Sequence, residues 1–140
     1  MIYTPLTNAA MKIAYAAHHG QVDKSGIPYI FHPYHLAEQM ESEYTVCVAL
    51  LHDVVEDTPI TLDELAKTFP KEVVDAVALL THEEGTDYFE YVARIRDNPI
   101  AKAVKLADLA HNMDGSRLDS PNAALEHLKS KYQRALEILR

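Results

Sequence analysis

The feature that most constrains the fold of this chain is an apolar run that ends abruptly in ionisable side chains. Residues 46–51 read VCVALL, and the next seven residues read HDVVEDT, which contains His52, Asp53, Glu56 and Asp57. A run of this kind is buried in a folded protein, and an unpaired carboxylate taken into the same interior costs several kcal/mol. The fold must therefore compensate these charges at the end of a core element.

Helix breakers and caps divide the rest of the sequence into short helical segments. Gly26 and Pro28 indicate a loop, whereas Thr61 and Glu64 have the spacing of a capping box. No long stretch alternates in the way that half-buried strands require. The sequence predicts an all-α bundle of about eight helices, with residues 1–140 forming a single domain. The predicted helices cover residues 7–20, 33–41, 46–55, a segment from Thr61 onward, 71–82, 86–97, 99–113 and 120–140.

Proline and hydroxyl side chains mark where several of these helices start. Proline is tolerated in the first helical turn, and serine and threonine are favoured caps. The residues that set the predicted starts are Thr7 with Asn8, Pro33, Thr45, Pro70, Pro99, and Ser120 with Pro121.

Composition limits the partners and the compartment of the chain. The formal net charge of −8 over 140 residues argues against an extended nucleic-acid surface, which needs clustered Lys and Arg. It allows a small phosphorylated ligand held by a metal and one or two lysines. The N-terminus lacks a signal peptide, no apolar stretch approaches the ~20 residues of a membrane span, and the single cysteine permits no internal disulfide. We expect a cytoplasmic protein without a membrane or nucleic-acid partner. The sequence leaves open whether the protein forms a homo-oligomer.

Ionisable residues in and around the apolar run have the spacing of a site. On a helix His52 and Asp53 point ~100° apart, so that both can reach one ion at that edge. Glu56 and Asp57 follow them by about one turn. His32 lies just before the predicted second helix.

The seventh predicted helix repeats the pattern. Lys105, Asp108 and Asn112 lie on one stripe, at i, i+3 and i+7. Together with His32 and the His52–Asp53 pair, Asp108 gives a set of two imidazole and two carboxylate groups on three helices. This donor set is typical of a hard-to-borderline divalent metal, and such a cation would compensate the buried carboxylates.

Each of these residues also has a simpler interpretation. A histidine at the start of a helix, such as His32, is more often a cap or a surface group, and an HD pair occurs by chance in many chains. Asp108 can pair with Lys105 on its own helix. His111 can pack on the core or flank a site. The other histidines are interpreted as surface, packing or helix-end residues: His18, His19, His35, His82 and His127.

The order of these residues resembles a known family. His32, the HD pair and Asp108 have the order of the HD-domain metal-dependent phosphohydrolases. Three blocks, GQVDKSGIPYIFHP at 20–33, ALLHDVVEDT at 49–58 and VKLADLAHN at 104–112, are similar to the RelA/SpoT-type alarmone hydrolases. The stand-alone small alarmone hydrolases have about this length. The resemblance extends from the first helix to about Leu118.

That resemblance implies a fold, an activity and a role for each residue. The family is all-α, binds a manganese ion, and removes the 3′-pyrophosphate from guanosine tetra- or pentaphosphate. The resemblance makes Glu56 and Asp57 the residues that position and deprotonate the attacking water. By the same resemblance, the metal ligands are His32, His52, Asp53 and Asp108, and the residues that contact the nucleotide are Lys24, Tyr29, Lys105 and Asn112.

Two positions depart from the pattern of the alarmone hydrolases. An arginine that stacks on guanine usually precedes the lysine of the first block, and this chain has Asp23 there. An arginine often follows KLAD in the third block, where this chain has Leu109 and Ala110. Both changes remove positive charge near the base or the phosphates, and a guanidinium is not easily replaced. The residues of the hydrolytic centre are all present. The sequence leaves open that the substrate is another nucleotide with a phosphate or pyrophosphate ester.

Two classes of function therefore remain. The first is a metal-dependent phosphohydrolase that acts on an alarmone or a related nucleotide. The second is a non-catalytic sensor that binds a nucleotide through the same metal. The intact Glu56 and Asp57 favour the enzyme, because a sensor has no need of a pair that activates water.

Overall fold

The computed structural model describes residues 1–118 and 123–140, and the regular structure within these ranges is helical. One isolated antiparallel bridge, between Val22 and Pro28, braces the loop after the first helix. The prediction of an all-α fold is confirmed. The α-helices of the described ranges are α1 (Pro5–Ala17), α2 (Phe31–Glu38), α3 (Glu43–Leu51), α4 (Val54–Asp57), α5 (Leu62–Ala66), α6 (Lys71–Leu80), α7 (Tyr88–Ile95), α8 (Pro99–Asn112) and α9 (Ala123–Leu139), with a 3-10 turn at Gly115–Arg117.

Several helices begin earlier than predicted because their caps lie further upstream. Thr4 caps α1 and Ser42 caps α3, each by accepting a hydrogen bond from the backbone three residues later. The predicted caps, Thr7 and Thr45, are the partners at the third helical position. A hydroxyl can serve at either position of the box, so the sequence offers both. Thr61 caps α5 as predicted.

The start of α2 was also misplaced. The helix begins at Phe31, so His32 lies inside its first turn and Pro33 occupies the third position. Proline is tolerated there because the first four N–H groups of a helix have no intrahelical partner. At the other end of the chain, the predicted cap Ser120 and Pro121 lie outside the described residues.

The predicted helix over 46–55 is broken in two, and the break carries the HD pair. α3 ends at Leu51, α4 starts at Val54, and His52 and Asp53 form the turn between them. His52 Nδ1–H donates to the carbonyl of Ala49 at 2.6 Å, a local bond that competes with the helical ladder. The Asp57 N–H still bonds the Asp53 carbonyl, at 2.9 Å.

The core is built around α3. Residues 46–51 are at most 1% exposed, and the helix packs against α1, α2, α6 and α8. A helix that is apolar on every side is stable only when it is surrounded in this way. This packing fixes the carboxyl end of α3 between α2 and α8. Within the described ranges, no helix is both long and apolar enough to cross a membrane.

Candidate active site

Three helices bring two histidines and two aspartates together in the interior. Asp108 Oδ1 on α8 lies 2.9 Å from His32 Nε2 on α2 and 3.6 Å from His52 Nε2 at the end of α3. Asp53 Oδ2 lies 3.0 Å from the same nitrogen of His52. His32, His52 and Asp108 are all less than 9% exposed. The two imidazoles and Asp53 each offer an atom within 4.8 Å of the others, a spacing that can hold a metal ion.

The Nε2 atom of His52 is the most informative atom in this cluster. It is buried and has no hydrogen-bond partner in the described part of the chain. Asp53 Oδ2 lies 3.0 Å away, but no hydrogen bond joins the two atoms. Because Nδ1–H is committed to the Ala49 carbonyl, Nε2 is the nitrogen left to face the two carboxylates. A cation between them would satisfy this nitrogen.

The electrostatics of the cluster show how much negative charge it holds. Burial favours the neutral carboxyl of Asp108, but Lys105, His32 and His52 outweigh it and hold the pKa of Asp108 well below its ordinary value. Burial likewise opposes ionisation of Asp53, and His52 lowers the pKa of Asp53 to about 2. The pKa of His52 is raised, because the two carboxylates outweigh the effect of burial. Two carboxylates are thus kept ionised in a site nearly closed to water.

Glu56 and Asp57 lie beside this cluster, at its solvent side. Carboxylate oxygens of Asp53, Glu56 and Asp57 lie within 4.8 Å of one another. The backbone N–H of His82 donates to Glu56 Oε1 at 2.6 Å and fixes the position of that carboxylate. The pKa values of Glu56 and Asp57 are both raised, first because protein atoms displace part of their water and then because of the charge on Asp53. A carboxylate with a raised pKa is a better proton acceptor.

The cluster opens into a cleft of about 230 Å³. The ammonium of Lys105 lies 5.7 Å from the ring centre of Tyr88 and 5.3 Å from that of Tyr91, so both rings help to hold the charge in place. The cleft therefore combines a carboxylate cluster with a fixed cation. Its lining residues are Tyr29, His52, Asp53, Glu56, Asp57, Leu80, His82, Tyr88, Tyr91, Lys105, Asp108 and Asn112.

Three of the residues predicted to contact a nucleotide also contact the buried aspartates. The hydroxyl of Tyr29 donates to Asp53 Oδ2, and Asn112 Nδ2 donates to Asp108 Oδ1 at 3.1 Å. Lys105 Nζ donates to Asp108 Oδ2 at 3.1 Å. These bonds orient the carboxylates and leave the side chains facing the cleft.

The fourth, Lys24, lies on the wall of a neighbouring cavity of about 440 Å³. The two cavities share Tyr29 and Asn112, so they form adjoining compartments of one site. Lys24 is exposed on the loop that follows α1. A ligand that reached from the cleft into this cavity would pass Tyr29 and Asn112.

Asp23 has a structural reason for its presence in this second cavity. Its Oδ1 accepts the N–H groups of Ser25 and Ile27, at 2.8 and 3.0 Å, and so orders the loop. Its Oδ2 lies 3.7 Å from Arg117, whose side chain lines the same cavity. The chain therefore retains a guanidinium at this cavity, supplied by a residue far from position 23 in the sequence.

Sequence reasoning missed several residues of the site. His82 was interpreted as a surface or packing residue, but its backbone holds Glu56 and its ring stacks on Tyr91 at 4.6 Å. His18 was given no role beyond the helix end, and its ring packs on Tyr29 at 4.9 Å. These positions show no periodic or motif signal, because their contacts depend on how distant helices pack.

Comparisons with known proteins show the family of the chain. The family model described as "HD domain" matches residues 10–126, which is most of the chain. The chain belongs to the HD-domain family. The prediction of this family from the three sequence blocks is confirmed.

Relatives of this HD domain are found in much longer proteins. The bifunctional (p)ppGpp synthase/hydrolase SpoT of Escherichia coli is 38% identical over 120 residues, which cover 74% of this chain and 17% of that protein. The guanosine-3′,5′-bis(diphosphate) 3′-pyrophosphohydrolase of Haemophilus influenzae is 40% identical over 117 residues, covering 72% and 17%. A probable GTP pyrophosphokinase of Mycobacterium leprae is 33% identical over 147 residues, covering 96% and 18%. The chain thus spans less than a fifth of the length of these relatives.

A solved structure supports the fold. The metazoan ortholog of SpoT described as hydrolysing ppGpp aligns with a TM-score of 0.76 at 22% identity. The alignment covers 99% of this chain and 85% of the other. At that identity the likeness supports the fold alone.

Replacing Lys105 by methionine should destabilise the metal-free protein. Lys105 is 8% exposed and is the ammonium partner of the buried Asp108. Removing one partner of a buried ion pair costs about 3–5 kcal/mol, because the other charge is left uncompensated. Urea unfolding in a chelator measures the loss. Lys102→Met, on the same helix and only half-buried, is the matched control, and equal losses in the two variants would contradict the assignment.

Proposed function

We propose that this HD domain, formed by residues 1–140, is a metal-dependent phosphohydrolase. The observation that carries the proposal is the buried, unpartnered Nε2 of His52, which stands between two ionised carboxylates. Residues from Ala10 to Leu139 share one hydrophobic core, which supports a single domain. The proposed ligands of one divalent cation are His32, His52, Asp53 and Asp108.

The donor set supports a particular kind of metal. Two imidazole nitrogens and two carboxylate oxygens, without a thiolate, suit a hard-to-borderline cation, and we propose Mn²⁺. The surroundings fit a ligand role. The hydrogen bonds from Tyr29 to Asp53 and from Asn112 to Asp108 orient the carboxylates, as outer partners of metal ligands do.

The residues around the proposed metal supply the remaining chemistry. A bound divalent cation lowers the pKa of water and polarises a phosphoryl oxygen. Glu56, held in place by the His82 N–H, takes the proton of the attacking water, and Asp57 helps to orient that water. The raised pKa of Glu56 favours this step, because it strengthens the carboxylate as a base. Lys105 places a fixed positive charge where negative charge develops on the phosphoryl group.

We propose (p)ppGpp as the substrate, with loss of its 3′-pyrophosphate. The relatives from E. coli and H. influenzae are named as a (p)ppGpp synthase/hydrolase and as a guanosine-3′,5′-bis(diphosphate) 3′-pyrophosphohydrolase. The adjoining cavities give a nucleotide room, with the pyrophosphate in the cleft and the nucleoside beside Lys24 and Arg117. Arg117 restores at the second cavity the kind of planar cation that Asp23 displaces.

A nucleotide panel tests this proposal. The protein is stripped of metal, loaded with Mn²⁺, and assayed for phosphate and pyrophosphate release from guanosine tetra- and pentaphosphate, their adenosine counterparts and nucleoside triphosphates. Mn²⁺ binding is measured by calorimetry on the same preparation. We expect pyrophosphate release from the guanosine compounds.

The other outcomes separate the competing functions. Release from an adenosine compound alone would keep the mechanism and reject the guanine specificity. Binding of Mn²⁺ and nucleotide without turnover of any compound would reject the enzyme in favour of a sensor. Failure to bind a divalent metal would reject the proposed centre.

A further inference from the structure

His111 contacts the candidate site, and its position in the sequence does not predict this contact. It lies on α8, three residues after Asp108, and its Nδ1 is 2.7 Å from Nδ1 of His32. The two rings are nearly parallel, at 6°, with centroids 5.0 Å apart. Nitrogens this close in parallel rings cannot belong to face-to-face stacking, so the rings meet edge to edge in a hydrogen bond.

A hydrogen bond between two imidazole nitrogens contains one proton. The ring that carries this proton determines whether Nε2 of His32 can bind a cation. If His32 donates from Nδ1, its Nε2 can be free of a proton and able to bind a cation. If His111 donates instead, a neutral His32 carries its proton on Nε2 and cannot act as a ligand there. His32 Nε2 is the nitrogen that faces Asp108, at 2.9 Å.

The position of His111 suits the acceptor role. When Nε2 of His32 binds a cation, the proton of the neutral His32 imidazole is left on Nδ1, and Nδ1 of His111 lies 2.7 Å from that atom. Arg117 holds the backbone of His111 by donating to its carbonyl at 2.8 Å. On its other side the ring packs against His35, with centroids 4.2 Å apart, and this fixes its orientation.

We propose that His111 is a positioning residue, which accepts the Nδ1–H of His32 and thereby presents the unprotonated Nε2 of His32 to the metal. The inference rests on the proposed metal centre. It adds to the four proposed ligands a histidine that sets the affinity for the metal without touching it. Outer partners of this kind are worth about 10–100-fold in metal affinity.

The test compares two substitutions of nearly equal size. In His111→Asn the side-chain oxygen occupies the place of Nδ1 and can still accept the bond. In His111→Leu the branching is similar and no acceptor remains. We expect the leucine variant to lose about 10–100-fold in Mn²⁺ affinity by calorimetry, and the asparagine variant to lose less than about tenfold. His19→Leu, at an exposed histidine that follows α1, makes the same kind of substitution away from His111 and should bind Mn²⁺ like the wild type.

Equal losses in the leucine and asparagine variants, or no loss in either, would overturn the proposal. A second measurement does not depend on the stability of the variants. Nitrogen-15 NMR of the wild-type protein loaded with diamagnetic Zn²⁺ should find the proton of His32 on Nδ1, and a proton on Nε2 would overturn the proposal as well. Tight metal binding without nucleotide turnover would reject the proposed function and leave this inference standing.

Discussion

Asp53→Ala is expected to abolish high-affinity metal binding and, with it, turnover. Asp53 is held between His52 and the Tyr29 hydroxyl, and despite burial His52 lowers its pKa to about 2, so that Asp53 is ionised at neutral pH. Loss of a directly coordinating carboxylate should cost more than the roughly 10–100-fold that is typical of an outer partner. The substitution also removes the carboxylate that contacts His52 and the Tyr29 hydroxyl.

Calorimetric titration with Mn²⁺ and a pyrophosphate-release assay measure the two effects on one preparation. Asp97→Ala removes an aspartate whose side chain is 92% exposed, and it should leave both quantities unchanged. Wild-type metal affinity in Asp53→Ala would show that the cation lies elsewhere. If the wild-type protein binds nucleotide without turnover, and Asp53→Ala loses only this metal-supported binding, the protein is a sensor.

Glu56→Gln should separate catalysis from metal binding. The amide oxygen can still accept the His82 N–H, so the side chain keeps its place, but it can no longer take up a proton. General-base catalysis contributes about 10²–10⁴-fold, and kcat should fall by that factor while the Mn²⁺ affinity changes little. Steady-state kinetics and calorimetry give the two values.

Glu84→Gln is the matched control, because Glu84 is exposed on the loop that also carries His82. Its kcat should equal that of the wild type. The comparison with Asp57→Asn assigns the base: the larger loss in kcat should come from the Glu56 variant. A Glu56→Gln protein with wild-type kcat would exclude Glu56 from proton transfer.

Local features of the sequence were sufficient to predict the fold class, and the resemblance of three sequence blocks to known proteins predicted the family. Helix caps, prolines and apolar periodicity act within a few residues, so they remain readable in one sequence. The capping box at Thr61 and the stripe of Lys105, Asp108 and Asn112 are of this kind. The predicted start of a helix was wrong where two hydroxyl residues could serve as the cap, as for Thr4 and Thr7.

Non-local contacts account for what the sequence did not reveal. One exception is local: the break between α3 and α4 is accompanied by the bond from His52 to the Ala49 carbonyl, and neither glycine nor proline marks it in the sequence. The N–H of His82 reaches Glu56 across 26 positions. Asp23 meets Arg117 only because the first loop folds against the turn that follows α8. No spacing rule predicts pairs of this kind, and the pair at Arg117 changes how the substitution at position 23 is interpreted.

The most direct test of the account is pyrophosphate release from guanosine tetraphosphate by the metal-stripped protein, measured before and after the addition of Mn²⁺. We predict no release before addition, release afterwards, and almost none in Glu56→Gln at the same metal occupancy. Release that is indifferent to the metal, or full occupancy by Mn²⁺ with no release, would contradict the account.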